Sequence, residues 1–424
     1  MKALVISYNG FSDSNANGKT LKNLFCEFKS DELCQFYCGT DAEDYSFCDS
    51  FFHVTDREML RSFYKKKSRV YNADAQKNEG NESKLVQKSA LPQSLRRHNY
   101  NFILRTAREI LWKVLPWGRK EYKNWLKNQS PDIVFYMVGE SWFMDELVLK
   151  AVFHLTIPLV LFHTEAYKII DLSTRKGIER LYYRINKKTY KKLKEKASLI
   201  IYNCNYLKAA YEDEYSKQNS IVAYNSFQFD TEEYTPSDEK LNIVYFGNLG
   251  VGRVESLVDV ANELRNINDS LVLDIYGKAK PEKEALLTNC ENICYHGLVE
   301  PDKLIKIKND ADIFIHAESF DENIVPKLKF AFSTKIAQYL CAGRCTITYA
   351  PLQTASTQYF VENKCVLIAS SKEELRQVLN DAVGSSALRC DMSKAALKIA
   401  KKDFSNKLTG EKIRKELETI VYEN

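Results

Sequence analysis

The chain has 424 residues, 45% apolar and 12% aromatic, with only 15 Gly and 9 Pro; this balance excludes a disordered or fibrous protein and predicts two or three domains. No run approaches the ~18 apolar residues of a membrane span, and the first nine residues turn polar too early for a signal peptide, so a protein neither secreted by that route nor membrane-spanning is expected. The net charge of +5 is uneven, because residues 57–127 hold 18 Lys and Arg against 6 Asp and Glu and leave the rest of the chain net acidic.

Short Val-, Ile- and Phe-rich runs alternate with segments of helical spacing, the pattern of βαβ units on a parallel sheet. In the first half the pattern predicts strands at 3–7, 33–37, 132–136, 159–163 and 199–202, with helices at 18–28, 141–153 and 174–196. The polar, basic stretch at about 65–93 lacks periodicity and is expected as a mobile insertion. A second basic stretch, 168–196, has 11 Lys and Arg against Asp171, Glu179 and Glu195. The aromatics Phe63, Tyr64, Trp112, Trp117, Tyr122 and Trp125 interleave with the first basic region, as at a membrane interface. An anionic membrane surface is therefore an expected partner, and nucleic acid is not.

After an aperiodic linker at 224–240 the alternation resumes. Strands are predicted at 242–246, 272–276, 292–296, 312–317, 346–349 and 366–368, and helices at 255–265, 302–309, 333–342 and 372–382. A helical tail follows at 392–422. Two doubly wound halves of this kind place a ligand cleft between them, at the carboxyl ends of parallel strands.

Eleven cysteines cannot all pair within one monomer, so reduced thiols of a cytosolic protein are expected. Three pairs lie four apart, Cys34/Cys38, Cys290/Cys294 and Cys341/Cys345, but no CxxC or HxxxH accompanies them. No metal site is expected. Asp310-Ala311-Asp312 imitates a cation-binding DxD, yet it closes a helix and opens a strand, which predicts solvated turn carboxylates.

Three segments carry chemistry. Asp13-Ser14-Asn15-Ala16-Asn17-Gly18-Lys19-Thr20 ends like a phosphate-binding loop but has Asp13 where the first glycine belongs, which argues against nucleoside triphosphate hydrolysis. Tyr245-Phe246-Gly247-Asn248-Leu249-Gly250-Val251-Gly252-Arg253 sits between a strand and a helix, where backbone amides and Arg253 suit a diphosphate. Ile315-His316-Ala317-Glu318-Ser319-Phe320-Asp321 ends a strand, and Ser333-Thr334-Lys335 opens a helix. There Ser333 is the expected N-cap, Lys335 the first-turn cation and Gln338 a same-face contact for sugar hydroxyls.

These segments together resemble GT-B-fold glycosyltransferases of the group-one (family four) type, particularly bacterial capsule and O-antigen enzymes. The match runs through Val244 to Gly250, Leu273 to Gly277, and Ser333-Thr334-Lys335 with Gln338-Tyr339-Leu340 and Gly343-Arg344. In the first half it touches Asn17 to Leu21, Leu161 to Glu165 and Ile200 to Asn205. The resemblance implies an α/β fold of two Rossmann-like domains facing across a cleft. Residues 1–223 would bind the acceptor and 241–390 the nucleotide sugar, with the tail at 391–424 packing back on the first domain.

The resemblance further implies transfer, with retention, from a UDP- or GDP-sugar to a lipid-linked glycan at the inner membrane face, without cofactor or metal. Gly247, Gly250, Arg253, Ser333, Thr334, Lys335, Gln338 and Tyr339 would bind the donor. His163, Glu318, Arg253 and Lys335 would serve catalysis, and Asn17, Gly18, Lys19 and Glu165 the acceptor. The chain departs from the family in carrying Gln338 where Glu is usual and Phe330 where the earlier carboxylate of EX7E would fall; Glu318 or Asp321 would substitute. A satisfied core histidine is the competing reading of His163. A nucleotide-sugar epimerase and a non-catalytic scaffold are the competing readings of the chain.

Overall fold

The computed structural model describes residues 1–40, 44, 46–62, 71–72, 102–227, 229, 234–236 and 240–423. Two compact units are present, Met1–Tyr224 with Lys407–Asn424, and Asn225–Asn406.

The first unit is an eight-stranded sheet of β1 (Ala3–Ser7), β2 (Leu33–Tyr37), β3 (Ser50–His53), β4 (Tyr71–Asn72), β5 (Ile133–Met137), β6 (Leu159–His163), β7 (Ala197–Tyr202) and β8 (Ser220–Val222), in the order β4-β3-β2-β1-β5-β6-β7-β8. All neighbours are parallel except β3 and β4. Strands β1, β2, β5 and β6 are buried at every position, as a parallel sheet covered on both faces requires. Strand β3 escapes sequence reading because only Phe51 and Phe52 stand between Ser50 and His53. The insertion expected at 65–93 lies outside the described residues except for β4, and so do Phe63 and Tyr64.

The remaining aromatics of the basic region turn inward. Trp112, Trp117, Tyr122 and Trp125 are all buried, on the helices Phe102–Val114 and Arg119–Gln129 and the turn between them. Tyr122 meets Phe36 at 5.1 Å, and Trp112 stacks on Phe143 at 4.6 Å. Each indole N–H finds an acceptor: Trp112 donates to Asp56 at 2.7 Å, Trp117 to the Trp112 carbonyl at 2.8 Å and Trp125 to Ser50 at 2.8 Å. Large rings with a satisfied polar edge form a stable second layer under a sheet, and here they fill the core. The basic stretch 168–196 is likewise not all surface. Lys168 is fully buried and donates to Asp145 at 2.7 Å and to Asn186 at 2.8 Å.

The second unit is a six-stranded, wholly parallel sheet of β9 (Ile243–Phe246), β10 (Leu273–Tyr276), β11 (Ile293–Gly297), β12 (Ile313–Ala317), β13 (Cys345–Tyr349) and β14 (Leu367–Ala369), in the order β11-β10-β9-β12-β13-β14. Every strand lies within a residue of its predicted position at each end. Leu257, Leu264, Ile313, Ile347 and Leu375 are among the residues of its core. Asp312 is not a solvated carboxylate: it is buried and accepts from the Tyr234 hydroxyl at 3.0 Å and the Asn242 amide at 2.9 Å. All eleven cysteines are free thiols. Among the described residues, no helix is long and apolar enough to cross a membrane.

The tail predicted as one helix is two, Ser386–Asp403 and Asn406–Tyr422, the first in the second unit and the second almost wholly in the first. The break falls at Phe404, which is fully buried and accepts from the Phe227 amide at 2.8 Å. Ile413, Leu417 and Ile420 join the core of Leu21, Leu24 and Phe25. Arg414 fixes the register by donating to both Glu32 carboxylate oxygens at 2.7 and 2.9 Å.

That fork holds the Glu32 carboxyl down at about 2, chiefly through the hydrogen bond from Arg414. A folded-state value below the unfolded one stabilises at neutral pH and loses its effect as pH falls through the window between them. Glu32→Gln should therefore cost about 1 kcal/mol at pH 7. In urea unfolding, the gap from wild type should close as pH drops from ~4.5 toward 2; a constant gap would show that charge is not its source.

Candidate functional site

Strand β9 delivers a loop at 247–252 to the helix Arg253–Ile267. Gly247 at φ 128° and Gly252 at φ 70° take backbone conformations that side chains resist. Space is as decisive as torsion. A Cβ on Gly247 would lie 2.3 Å from the Lys335 Cε, and one on Gly252 would lie 2.4 Å from the Ser319 hydroxyl. Val251 shares the left-handed region at φ 60°, strain of order 1–3 kcal/mol of the kind that collects at ligand clamps. The Asn248 side chain accepts from the Gly250 amide at 2.7 Å and ties the loop internally.

Over that loop lies Lys335, the first residue of the helix Lys335–Cys341. Its Nζ donates to the Tyr245 hydroxyl at 2.6 Å and the Asn248 carbonyl at 3.2 Å, and sits 4.6 Å from the Tyr245 ring centre. Arg253 opens its own helix and places Nη2 2.8 Å from the Glu318 carboxylate, just beyond β12. The Ser256 hydroxyl donates to the Glu318 carbonyl at 2.7 Å and fixes that residue's backbone.

The electrostatics are unbalanced. Loss of water, followed by the charge of Arg253, pushes the Lys335 ammonium down to about 7, with only Glu318 acting the other way. His316, fully enclosed beside the same groups, is driven well below the ordinary histidine value by burial and then by Lys335 and Arg253. Neither of its ring nitrogens has a hydrogen-bond partner, and neither does Arg253 Nε. Lys335 is half-buried, and two cations facing one carboxylate form a site short of an anion.

Gly247, Gly250, Arg253, Glu318 and Lys335 thus come together. The other expected donor residues flank Lys335 on and before its helix. Ser333 does not cap the helix; Thr334 holds that position with helical torsions and no side-chain bond, while the Ser333 amide donates to Ser356 at 3.1 Å. Tyr339 is fully buried, and its hydroxyl donates to the Phe246 carbonyl at 2.9 Å. Gln338 is half-buried on the same short helix. Tyr245, Asn248 and His316 belong to the cluster without having been singled out. The Asn248-Leu249-Gly250 turn signal and the position of His316 one residue before the strand end were the available cues.

In the first unit His163 is fully enclosed, 2.9 Å from the Tyr190 hydroxyl and stacked on Tyr202. The ring is enclosed but not fully satisfied, since its buried Nδ1 has no hydrogen-bond partner. Glu165, half-buried, has its carboxyl raised to about 7 by burial. Asn15 caps the helix Ala16–Leu24 by accepting from the Gly18 amide at 2.7 Å, which occupies an amide that a phosphate loop would offer. Gly18 has a spatial role, because a Cβ there would lie 2.6 Å from the Gly10 carbonyl. Asn17 donates to the Asn9 side chain at 3.2 Å, and Lys19 is half-buried on the same helix.

Residues 253–413 match the family model described as glycosyl transferase-like. Anabaena HepE, solved in complex with UDP, superposes with a TM-score of 0.64 at 13% identity, over 99% of this chain and 100% of that one; its complex with UDP-glucose gives 0.60 at 13% over the same shares. Two parallel Rossmann-like units shared with such structures settle the architecture. The chain has the GT-B fold. Sucrose-phosphate synthase from Thermosynechococcus elongatus shares it at a TM-score of 0.60 and 11% identity over 100% of both chains. The lipopolysaccharide outer core galactosyltransferase WaaB shares it at 0.55 and 14%, over 100% of this chain and 99% of that one. No curated protein matches the sequence of this GT-B chain.

Gly247→Ala tests the loop. It should lower stability by about 1–3 kcal/mol through torsion alone and displace Lys335, so that the ammonium titrates nearer the ordinary lysine value. Chemical-shift titration of the Lys335 side chain against pH checks this, and an unshifted midpoint would show the contact to be loose.

Proposed function

We propose that this chain is a glycosyltransferase that moves a sugar from a nucleoside diphosphate sugar, UDP- or GDP-linked, to a lipid-linked glycan with retention at the anomeric carbon. The observation that carries the reading is the anion deficit around Lys335 and Arg253 at the carboxyl ends of β9 and β12. A diphosphate supplies the missing charge, and it becomes more negative as the glycosidic bond breaks. Groups arranged for that charge before it develops favour the transition state over the ground state. The glycosyl transferase-like match over 253–413 and the UDP and UDP-glucose complexes of the HepE structures support the donor class.

In this reading Gly247 and Gly250 let the backbone approach the diphosphate, Lys335 and Arg253 bear its charge, and Glu318 orients Arg253. Ser333, Thr334 and Gln338 border the donor, with Gln338 toward the ribose. Asn17, Gly18, Lys19 and Glu165 form the acceptor side. No metal takes part, and turnover should survive chelator. Contact with an anionic inner membrane face is supported by Ile103 and Val114, each 61% exposed on a helix of the basic stretch 57–127, and the proposed role is in surface polysaccharide assembly. Liposome binding should fall as salt rises; equal binding to neutral and anionic vesicles would remove that part.

Lys335→Ala should abolish turnover while circular dichroism keeps the wild-type signal. Nucleoside diphosphate should be released only when a glycan acceptor is added; release without one points to epimerisation. The pH dependence is sharper still. Above about 7 the free ammonium is largely neutral, whereas a bound diphosphate favours the charged form, so binding takes up a proton. The affinity for UDP should fall as pH rises from 7 to 9, by up to about tenfold per unit. Calorimetry in buffers of different ionisation enthalpy reads the proton directly. A Lys335→Met protein should show neither the uptake nor the slope, and wild type lacking both would sink the reading.

A further inference from the structure

The second sheet ends at β11, and one face of this edge is polar. Along β10 and β11, Leu273, Ile275 and Ile293 point into the core, while Asp274 and Tyr276 are half-buried and Cys294 and His296 are exposed. Parallel sheets are ordinarily apolar on both faces. The pairing register sets Asp274 directly against Cys294. One pair further on it slips, leaving Tyr276 opposite Gly297 and making His296 the extra residue of a bulge, with Gly297 at φ 69°.

Bulges re-aim side chains. This one carries the imidazole across the strand pair until Nε2 lies 2.6 Å from Asp274 Oδ1. The ring lies flat on Tyr276, 4.4 Å between centres and 7° between planes, so its orientation is set by packing. The thiol of Cys294, an imidazole nitrogen of His296 and a carboxylate oxygen of Asp274 all lie within 4.8 Å of one another.

We propose that Asp274, Cys294 and His296 form a binding site for one thiophilic divalent cation of the zinc class, with water in the fourth position. Sulfur, imidazole and carboxylate form a zinc donor set, with bonds of about 2.0–2.3 Å, which places ligand atoms roughly 3.3–3.6 Å apart around a tetrahedron. Calcium and magnesium select all-oxygen shells and have no use for the thiol. The site shares no residue with the Lys335 and Arg253 cluster and no step of sugar transfer passes through it; its cation would clamp the outermost pair of strands.

The test uses the full chain, reduced, stripped with chelator and titrated with cobalt(II). Wild type should bind one equivalent with a near-ultraviolet thiolate-to-cobalt charge-transfer band, which zinc then displaces. Cys294→Ser should lose that band, and Cys290→Ser, four residues earlier, should keep it. Loss of a supporting partner outside the coordination shell already weakens metal binding about 10–100-fold, so His296→Ala and Asp274→Asn should each do at least that. No band in wild type, an undiminished band in Cys294→Ser, or unchanged affinity in both His296→Ala and Asp274→Asn overturns the assignment. Should Cys294→Ser fail to fold, those last two variants decide the matter alone.

Discussion

An ammonium half shielded from water, placed beside a guanidinium with a single carboxylate to share, is the constraint on which the glycine loop and its two flanking helices converge. Lys335 can lie where it does only because Gly247 has no side chain, and it stays there because Tyr245 and the Asn248 carbonyl accept its protons. Glu318 steadies Arg253 and leaves little charge to spare for Lys335. The buried ring of His316, without a hydrogen bond and 3.6 Å from Glu318, belongs to the same balance, since a protonated imidazole there would add a third cation. Burying two cations against one carboxylate is costly, and the proposed diphosphate would offset that cost.

The first unit handles buried charge in the opposite way. Asp145 and Lys168 are both fully enclosed, and the remaining hydrogen-bonding capacity is met by Tyr136 and Asn186. A pair completed in this manner is closed to ligands and serves as part of the packing. His163 is met only in part: its Nε2 bonds to Tyr190, while its buried Nδ1 has no hydrogen-bond partner.

Much of the strand framework was legible because fully buried parallel strands read as continuous apolar runs, and 3–7, 33–37 and 159–163 coincide with β1, β2 and β6. The tryptophans were misread for a physical reason. An aromatic beside a lysine on a helix has the same sequence signature whether the ring faces lipid or core, and only packing on Phe36 and Phe143 shows which. The predicted tail helix failed at Phe404 because burial of that ring and its carbonyl bond to Phe227 outweigh continued helical pairing. Ser333 looked like a cap by residue type, but helical torsions at Thr334 leave its hydroxyl no capping role.

By itself the sequence determined two parallel α/β units, the glycine loop after β9, and the lysine and arginine that open the flanking helices, because each follows from hydrophobic period or turn chemistry within a few residues. Tertiary structure alone decided which charges share a partner, which histidine lies against them, and that Asp274, Cys294 and His296 meet at all. Those outcomes depend on strand register and on a one-residue bulge between segments about twenty residues apart. Neither leaves a local trace in composition or spacing, since register is fixed by the packing of whole faces rather than by the residues it brings into contact.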